Sequence, residues 1–352
     1  MNVGSATPTS TLPSSPKGQR LCRGLVLALM AAVLVACAVL SLCLGRYSIA
    51  PADVVKTLFA PVFGFEAPDA MMTTVVFNVR LPRILMSVLV GAALAVSGAA
   101  FQAVFGNPLV SPDILGVSAG ASFGAALAIL ASGSALLIQG MALGFGLVAV
   151  GMVMLLGRVQ SRMQLYMLVL VGVVVSALFE AFVSIIKYVC DPYDKLPAIT
   201  SWLLGSLATA TYRDVAVAAA VILPCALVLL GLRWKLNLLS LDEEEARSLG
   251  MNVSRLRSIT IVAATFMTAT TVALCGVIGW IGLVIPHIAR LMLGNDHRTL
   301  VPASLLLGGM YLLAIDDIAR CATGVEIPLS ILTAIVGAPF FAWLIRTTAK
   351  EA

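Results

Sequence analysis

Residues 271–294 read TVALCGVIGWIGLVIPHIARLMLG. Between Arg257 and Arg290 no side chain carries a full charge, so the stretch belongs in hydrocarbon, yet Gly276, Gly279, Gly282 and Pro286 interrupt it. One bilayer span needs about 20 apolar residues, and two spans with a turn need about 40 or more. The stretch fits neither length. It predicts one complete helix followed by a short, glycine-entered, proline-bent helix that ends in water at His287, Arg290 and the polar GNDHR. Interrupted backbone at membrane depth survives only where protein or a water-filled cavity covers it. The stretch therefore points to a multi-helix transport assembly.

The composition agrees. Of 352 residues 60% are hydrophobic and only 11% charged, against about 25% charged in soluble domains. The chain is expected to be an all-α polytopic membrane protein with lipid as its surroundings. The net charge of +5 is not read as a nucleic-acid signal, because the basic residues are spread over loops. The seven cysteines (22, 37, 43, 190, 225, 275 and 321) form no CxxC pair and mostly lie in apolar runs, as small core residues do. Cys190 and Cys321 fall at the expected outer face. Two histidines are too few for a dedicated metal site, and none is expected.

Outward from the central stretch, ten spans are expected. Residues 1–20 are rich in Ser, Thr, Pro and Gly and read as a disordered cytoplasmic tail, followed by a single permease domain over 21–350. The first span is Gly24 to Gly45, and residues 46–80 make an external segment. Arg80-Leu-Pro-Arg83 opens the second span, with Pro82 near its first turn, where a missing N–H costs nothing. It ends near Phe105, before Asn107-Pro108. Ile114 to Gly157 holds two spans, the first carrying Gly116, Gly120 and Gly124 as a small-xxx-small ridge for close helix packing. Span five is about Leu165 to Val189, span six about Val215 to Leu232, and SWLLGSL (201–207) is a short external helix between them. Spans seven and eight come from the central stretch. Spans nine and ten are about Leu300 to Ile318 and Pro328 to Ile345. With the N-terminus inside, fourteen of the 22 Lys and Arg residues fall on the inner side, which places both termini in the cytoplasm.

No G-x-x-x-x-G-K-[ST] occurs, so the chain is not expected to bind ATP through such a loop. H-E-x-x-H is absent too. The longest internal hydrophilic stretch contains Ser240-Leu241-Asp242-Glu243-Glu244-Glu245-Ala246-Arg247-Ser-Leu249-Gly250. Ser240 with Glu243 forms a capping box, the acidic triplet suits a helix N-terminus, and Gly250 suits a stop. The result is a two-turn cytoplasmic helix. It is either an ordinary solvated linker or a docking helix for a soluble partner. Glu180, inside span five, is the one carboxylate set deep in a span and either packs between helices or lines a pathway. His287 either acts as a ligand or proton carrier, or satisfies a carbonyl freed by Pro286. Asp316, Asp317 and Arg320 are either a local ion pair or a contact surface.

The motifs together resemble a known family. RLPR (80–83), VGAALAVSGAAFQAVFGNPLVSPDILGVSAGAS (90–122), SWLLGSL, LDEEEARSLGM (241–251), GVIGWIGLVIPHIARLMLGNDHR (276–298), DDIAR (316–320) and EIPLSILTAIVGAPFF (326–341) look like the FecCD-type permeases. These are the membrane subunits of type II ABC importers for iron-siderophore, haem and vitamin B12. Val277, Trp280 and Asp242 depart from the residues usual there.

The resemblance implies no catalytic residue in this chain. It implies a ten-helix subunit in a homodimer, two cytoplasmic ATPase subunits that hold the ATP and Mg, and an external substrate-binding protein. Residues 240–250 match the coupling helix that enters the ATPase cleft. Arg80, Arg83 and Arg320 match positions that dock the binding protein, where they are expected as exposed rim charges. Ser161, Arg162 and Met163 resemble the cytoplasmic gate region, and span five, with Glu180, lines the path. The cargo expected is an iron(III) chelate, with cobalamin or haem as the alternative. A secondary transporter driven by ions would need more buried carboxylates than Glu180 alone.

Overall fold

The computed structural model describes residues 16–45, 47–63, 69–159, 162–163, 165–240 and 250–351. Its helices are α1 (Pro16–Cys43), α2 (Pro51–Phe63), α3 (Ala70–Thr74), α4 (Leu81–Phe105), α5 (Val117–Ala131), α6 (Ala135–Leu156), α7 (Leu165–Val189), α8 (Lys195–Leu203), α9 (Tyr212–Leu236), α10 (Val253–Cys275), α11 (Ile281–Leu293), α12 (His297–Cys321) and α13 (Leu329–Glu351). A two-residue antiparallel ladder, β1 (Arg158–Val159) with β2 (Arg162–Met163), closes the loop between α6 and α7. Among the described residues seven helices are long and apolar enough to cross a membrane, and α5, α11 and Leu329–Leu344 are shorter apolar helices. These are the ten segments expected from the hydropathy pattern.

Three boundaries differ from the expectation. Helix α1 begins at Pro16, inside the stretch read as a tail, while residues 1–15 lie outside the described residues. RLPR does not open its helix. The apolar helical run starts at Ala70 and continues to Phe105 through a π-helical turn over Val75–Arg80. The wide turn comes just before Pro82, which has no N–H to give to Asn78, and Leu81 donates instead to Val76, five residues back. Third, Gly116 is not part of α5. It is the residue before it, in the left-handed region at φ 74°, and ends a 3-10 turn over Pro112–Leu115.

Helix α4 is the axis of the subunit. Its most apolar window is 83% buried, against 17% for α1 and 22% for α9. Small side chains make this possible, since Ala92, Ala93, Ala95, Ala99 and Ala100 are all buried and let α9, α10, α11 and α12 close around it. The tightest contact is at Gly98, where an added Cβ would lie 1.8 Å from the Gly282 carbonyl of α11. Gly120 and Gly124 bring α5 onto α6 in the same way: Cβ atoms there would lie 2.5 Å from Phe145 O and 2.2 Å from Met141 O. Helices α1, α6, α7 and α9 expose leucine and valine along much of their length, which suits lipid or a second subunit.

The central stretch breaks as its glycines predict. Helix α10 stops at Cys275, residues 276–280 are non-helical, and α11 begins at Ile281. Protein covers this irregular backbone. Ser206 N–H donates to Cys275 O at 2.9 Å, Leu329 N–H to Gly205 O at 3.1 Å and Ser330 N–H to Leu204 O at 3.2 Å. Gly276, at φ 73°, is in a region that L side chains avoid. Trp280 is the one described non-glycine residue with positive φ, at 71°, and its Cβ lies against Gly337 of α13. A conformation this costly persists because surrounding packing imposes it.

Candidate functional site

At the end expected outside, three arginines meet two aspartates. Arg83 Nε donates to Asp316 Oδ2 at 2.9 Å, Nη2 to Asp316 Oδ1 at 2.9 Å, and Nη1 to Glu326 Oε1 at 2.8 Å. Arg320 donates to Asp317, to Ser41 O at 2.7 Å and to Ser41 Oγ at 2.6 Å. Arg80 donates to the carbonyls of Leu42 and Tyr47. Both aspartates come from one turn of α12 and the arginines from α12 and from the helical run 70–105, so the cluster ties α1, α4 and α12 together.

Arg80, Arg83 and Arg320 are therefore not the exposed rim charges expected. They are 3%, 6% and 6% exposed, and most of their donors are engaged inside the subunit. The ion pairs left open for Asp316, Asp317 and Arg320 form across two helices as well as within one. What remains open is a crevice of about 190 Å³ whose walls include Tyr47, Arg80, Arg83, Arg320 and Glu326.

Glu180 sits on the exposed side of α7, and no ion pair reaches it among the described residues. Val173, Ala177, Ser184 and Tyr188, which share that side by helical spacing, are exposed as well. Lys187 shares the helix but makes no bridge to it. A carboxylate set in a span and uncovered by its own subunit requires water or a partner.

At the other end, Asn237 anchors the root of the hydrophilic segment. Its amide nitrogen donates to Asp296 Oδ1 at 2.9 Å, and its oxygen accepts His297 N–H at 2.8 Å. Asp296 caps α12 by accepting Arg298 N–H at 3.0 Å and lies 3.4 Å from Arg23. Burial pushes the Asp296 carboxyl up, but the Arg298 N–H, the Asn237 amide and the charges of Arg298 and Arg23 outweigh it and hold the group below the usual carboxylate range. Ser240 ends a 3-10 turn, and Gly250 has the left-handed φ of 79° that a helix stop requires. Leu241, Asp242, Glu243, Glu244, Glu245, Ala246, Arg247 and Leu249 lie outside the described residues, as does Ser161. Arg162 and Met163 are in β2.

The proline in α11 is accommodated differently from the expectation for His287. Without an N–H on Pro286, the carbonyl of Gly282 loses its helical donor. Gln102 of α4 approaches it, with Nε2 at 3.5 Å from Gly282 O and 3.4 Å from Leu283 O. His287 Nδ1 is buried with no partner. Close approach at Gly98 brings α4 near enough for the amide to do what the nearby imidazole does not. Sequence reading missed Gln102, whose only signal was being the sole amide in α4, where the other polar side chains are Arg83, Ser87 and Ser97. Asn107 accepts Leu109 N–H at 2.9 Å and, with Gly106 and Pro108, turns the chain after α4.

Gly116-Val-Ser118-Ala-Gly120 has the G-x-S-x-G spacing of a hydrolase elbow. Here Ser118 donates to Asp113, and no hydrogen bond joins it to a histidine among the described residues.

A polytopic helical subunit whose broken helix is covered by its own protein has the architecture of a membrane transport protein. The chain belongs to the FecCD transport family, whose model matches residues 33–347. It is 43% identical to the molybdate import system permease protein MolB of Haemophilus influenzae over 89% of this chain and 93% of that one. It is 41% identical to a probable iron chelatin transport system permease protein of Helicobacter pylori, over 79% of this chain and 84% of that one. A solved metal-chelate type ABC transporter in an inward-facing conformation superposes with TM-score 0.83 at 41% identity, covering 92% of this chain and 99% of that one. The protein is an ABC-importer permease of the inner membrane and not itself an enzyme.

Proposed function

We propose that this permease imports an iron(III) chelate, driven by ATP hydrolysed with Mg on two partner ATPases and fed by an external binding protein. The observation that carries the cargo is Glu180, the lone carboxylate on the uncovered side of α7. A fixed negative charge along a path repels a dianionic oxyanion more than a chelate of low or positive charge. Similarity to permeases named for iron chelatin and for metal-chelate transport supports the same reading. Two copies of the subunit pair along the uncovered side of α7, both termini face the cytoplasm, and segment 240–250 enters the ATPase cleft. The stretch around Ser161, Arg162 and Met163 is the inner gate. The binding protein docks at the outer end, with acidic side chains entering the crevice beside Arg80, Arg83 and Arg320.

Molybdate is the second reading, favoured by the 43% identity to MolB. Haem and cobalamin are the family's other cargoes. Vesicles containing the permease with its ATPase, ATP inside and the binding protein outside, discriminate these readings. Iron-chelate uptake that needs both ATP and the binding protein is expected, and Glu180→Lys is expected to lower it at least tenfold. Uptake of molybdate but not chelate, or uptake driven by an ion gradient alone, overturns the proposal.

A further inference from the structure

Helices α9 and α10 pack side by side and leave an apolar groove of about 390 Å³ between them. Its walls are Pro224, Cys225 and Val228 of α9 and Ile259, Val262 and Phe266 of α10, with the buried Ala263 beneath. No charged side chain lines it among the described residues. Val228, Ile259, Val262 and Phe266 remain exposed, so the subunit itself does not fill the groove. The side proposed for pairing of two copies lies elsewhere, because α7 packs on α5 and α6 while α9 packs on α4, α10 and α12. The groove is left to the bilayer.

Helical spacing carries both walls to the end beside the 240–250 segment. On α9 the stripe runs Pro224, Val228, Gly231, Lys235, and on α10 it runs Phe266, Val262, Ile259, Arg255. Lys235 and Arg255 are exposed, and neither makes an ion pair among the described residues. Gly231 keeps the way from Lys235 to the groove open, since a Cβ added there would meet nothing within 4 Å. The lengths agree as well. Lys235 lies eleven residues from Pro224, and Arg255 lies eleven from Phe266, which at 1.5 Å per residue is about 16 Å. One leaflet supplies half of the hydrocarbon core, about 15 Å. Two cations therefore stand at headgroup level over an apolar groove that reaches the depth of one acyl chain.

We propose that the α9–α10 groove is a binding site for an anionic phospholipid of the leaflet beside the 240–250 segment. One acyl chain lies along Val228 and Val262, and the phosphate sits between Lys235 and Arg255. Fixed cations near the membrane surface attract anionic headgroups. A zwitterionic lipid brings its own ammonium or choline group up to the same two positive side chains and loses much of that attraction. Phosphatidylglycerol, with one negative charge and no cation, fits the pair. Because α9 and α10 flank the 240–250 segment, the bound lipid joins the two helices from which that segment departs.

The test uses the full-length permease in phosphatidylcholine nanodiscs containing phosphatidylglycerol with a diazirine in its acyl chain, and labelled peptides are mapped by mass spectrometry. Labelling is expected on α9 and α10 around Val228 and Val262, displaced by unlabelled phosphatidylglycerol but not by phosphatidylethanolamine. Lys235→Glu combined with Arg255→Glu should cut it by about tenfold or more, the loss expected when two cations at an anionic surface are reversed. Gly231→Leu should cut it severalfold with both charges kept, and replacing a glycine inside a helix favours the fold. Labelling spread evenly over the other exposed helices, equal displacement by phosphatidylethanolamine, or labelling unchanged in either variant would overturn the site. So would labelling confined to monomers and absent from the dimer, which would give the groove to a second copy of the chain. None of these outcomes depends on which cargo the permease carries.

Discussion

Arg83 and Arg290 are the same residue type at opposite ends of one bundle, and their surroundings differ in kind. Arg83 is saturated: all of its ion-pair partners are supplied by the fold, at 2.8 to 2.9 Å. Arg290 makes one contact and keeps one buried nitrogen free beside a cavity. A saturated buried arginine holds helices in place through its carboxylates, and one without a carboxylate partner adds little to that hold. Charge alone does not distinguish them. Position relative to carboxylates does.

The largest expected effect breaks the comparison at the outer end. Arg83→Ala strands Asp316, which is 0% exposed, and removing one partner of a buried pair costs about 3–5 kcal/mol. Thermal unfolding in detergent should show this loss, and Arg83→Leu combined with Asp316→Leu should recover most of it. Arg290→Ala leaves no buried carboxylate behind and should cost about 1 kcal/mol or less. Equal losses at the two arginines would remove the distinction.

A smaller effect sharpens the inner end. Gln102→Leu deprives Gly282 O of its approaching amide and Arg290 of its anchor. Because the amide contacts are long, the expected cost is about 1 kcal/mol, read as a lower thermal unfolding midpoint in detergent. An unchanged midpoint would show that Gln102 does not support the Gly282 carbonyl.

The smallest effect is electrostatic. Asp296 is held below the usual carboxylate range in the folded chain, so it contributes stability above its unfolded value of about 4 and loses it as pH falls through the lowered value. Solvent screening limits the contribution to roughly 0.3 kcal/mol. Asp296→Asn should lower stability at pH 8 by about that amount and leave it unchanged below the lowered value, so that the acid side of the stability curve flattens.

The two ends also differ in how legible they were. RLPR and DDIAR stand out in an apolar sequence, so the outer arginines were found, but their exposure was misjudged. Charges near the end of a span look like rim residues until the facing helix is known, and Asp316 lies 233 residues from Arg83. His287 was singled out because it follows Pro286, yet the freed carbonyl is approached by Gln102, which lies 180 residues from Gly282. Local spacing cannot reveal which distant amide a glycine contact admits. Gly116 was grouped with Gly120 and Gly124 by its four-residue period, although its positive φ ends the preceding turn. The π turn before Pro82 was likewise invisible, since an apolar sequence reads alike in either helical pitch.

The chain's own residues determined that it is a bundle of apolar helices, where most of them begin and end, and that the stretch after Cys275 must break. Hydrocarbon leaves a backbone few ways to satisfy itself, so length, charge and glycine placement are enough for that. Only the tertiary structure decided which charges are spent and which are left open. Whether a polar group has a partner is a property of pairs of residues far apart in the chain, and the close glycine contacts that bring them together leave no periodic trace in the sequence.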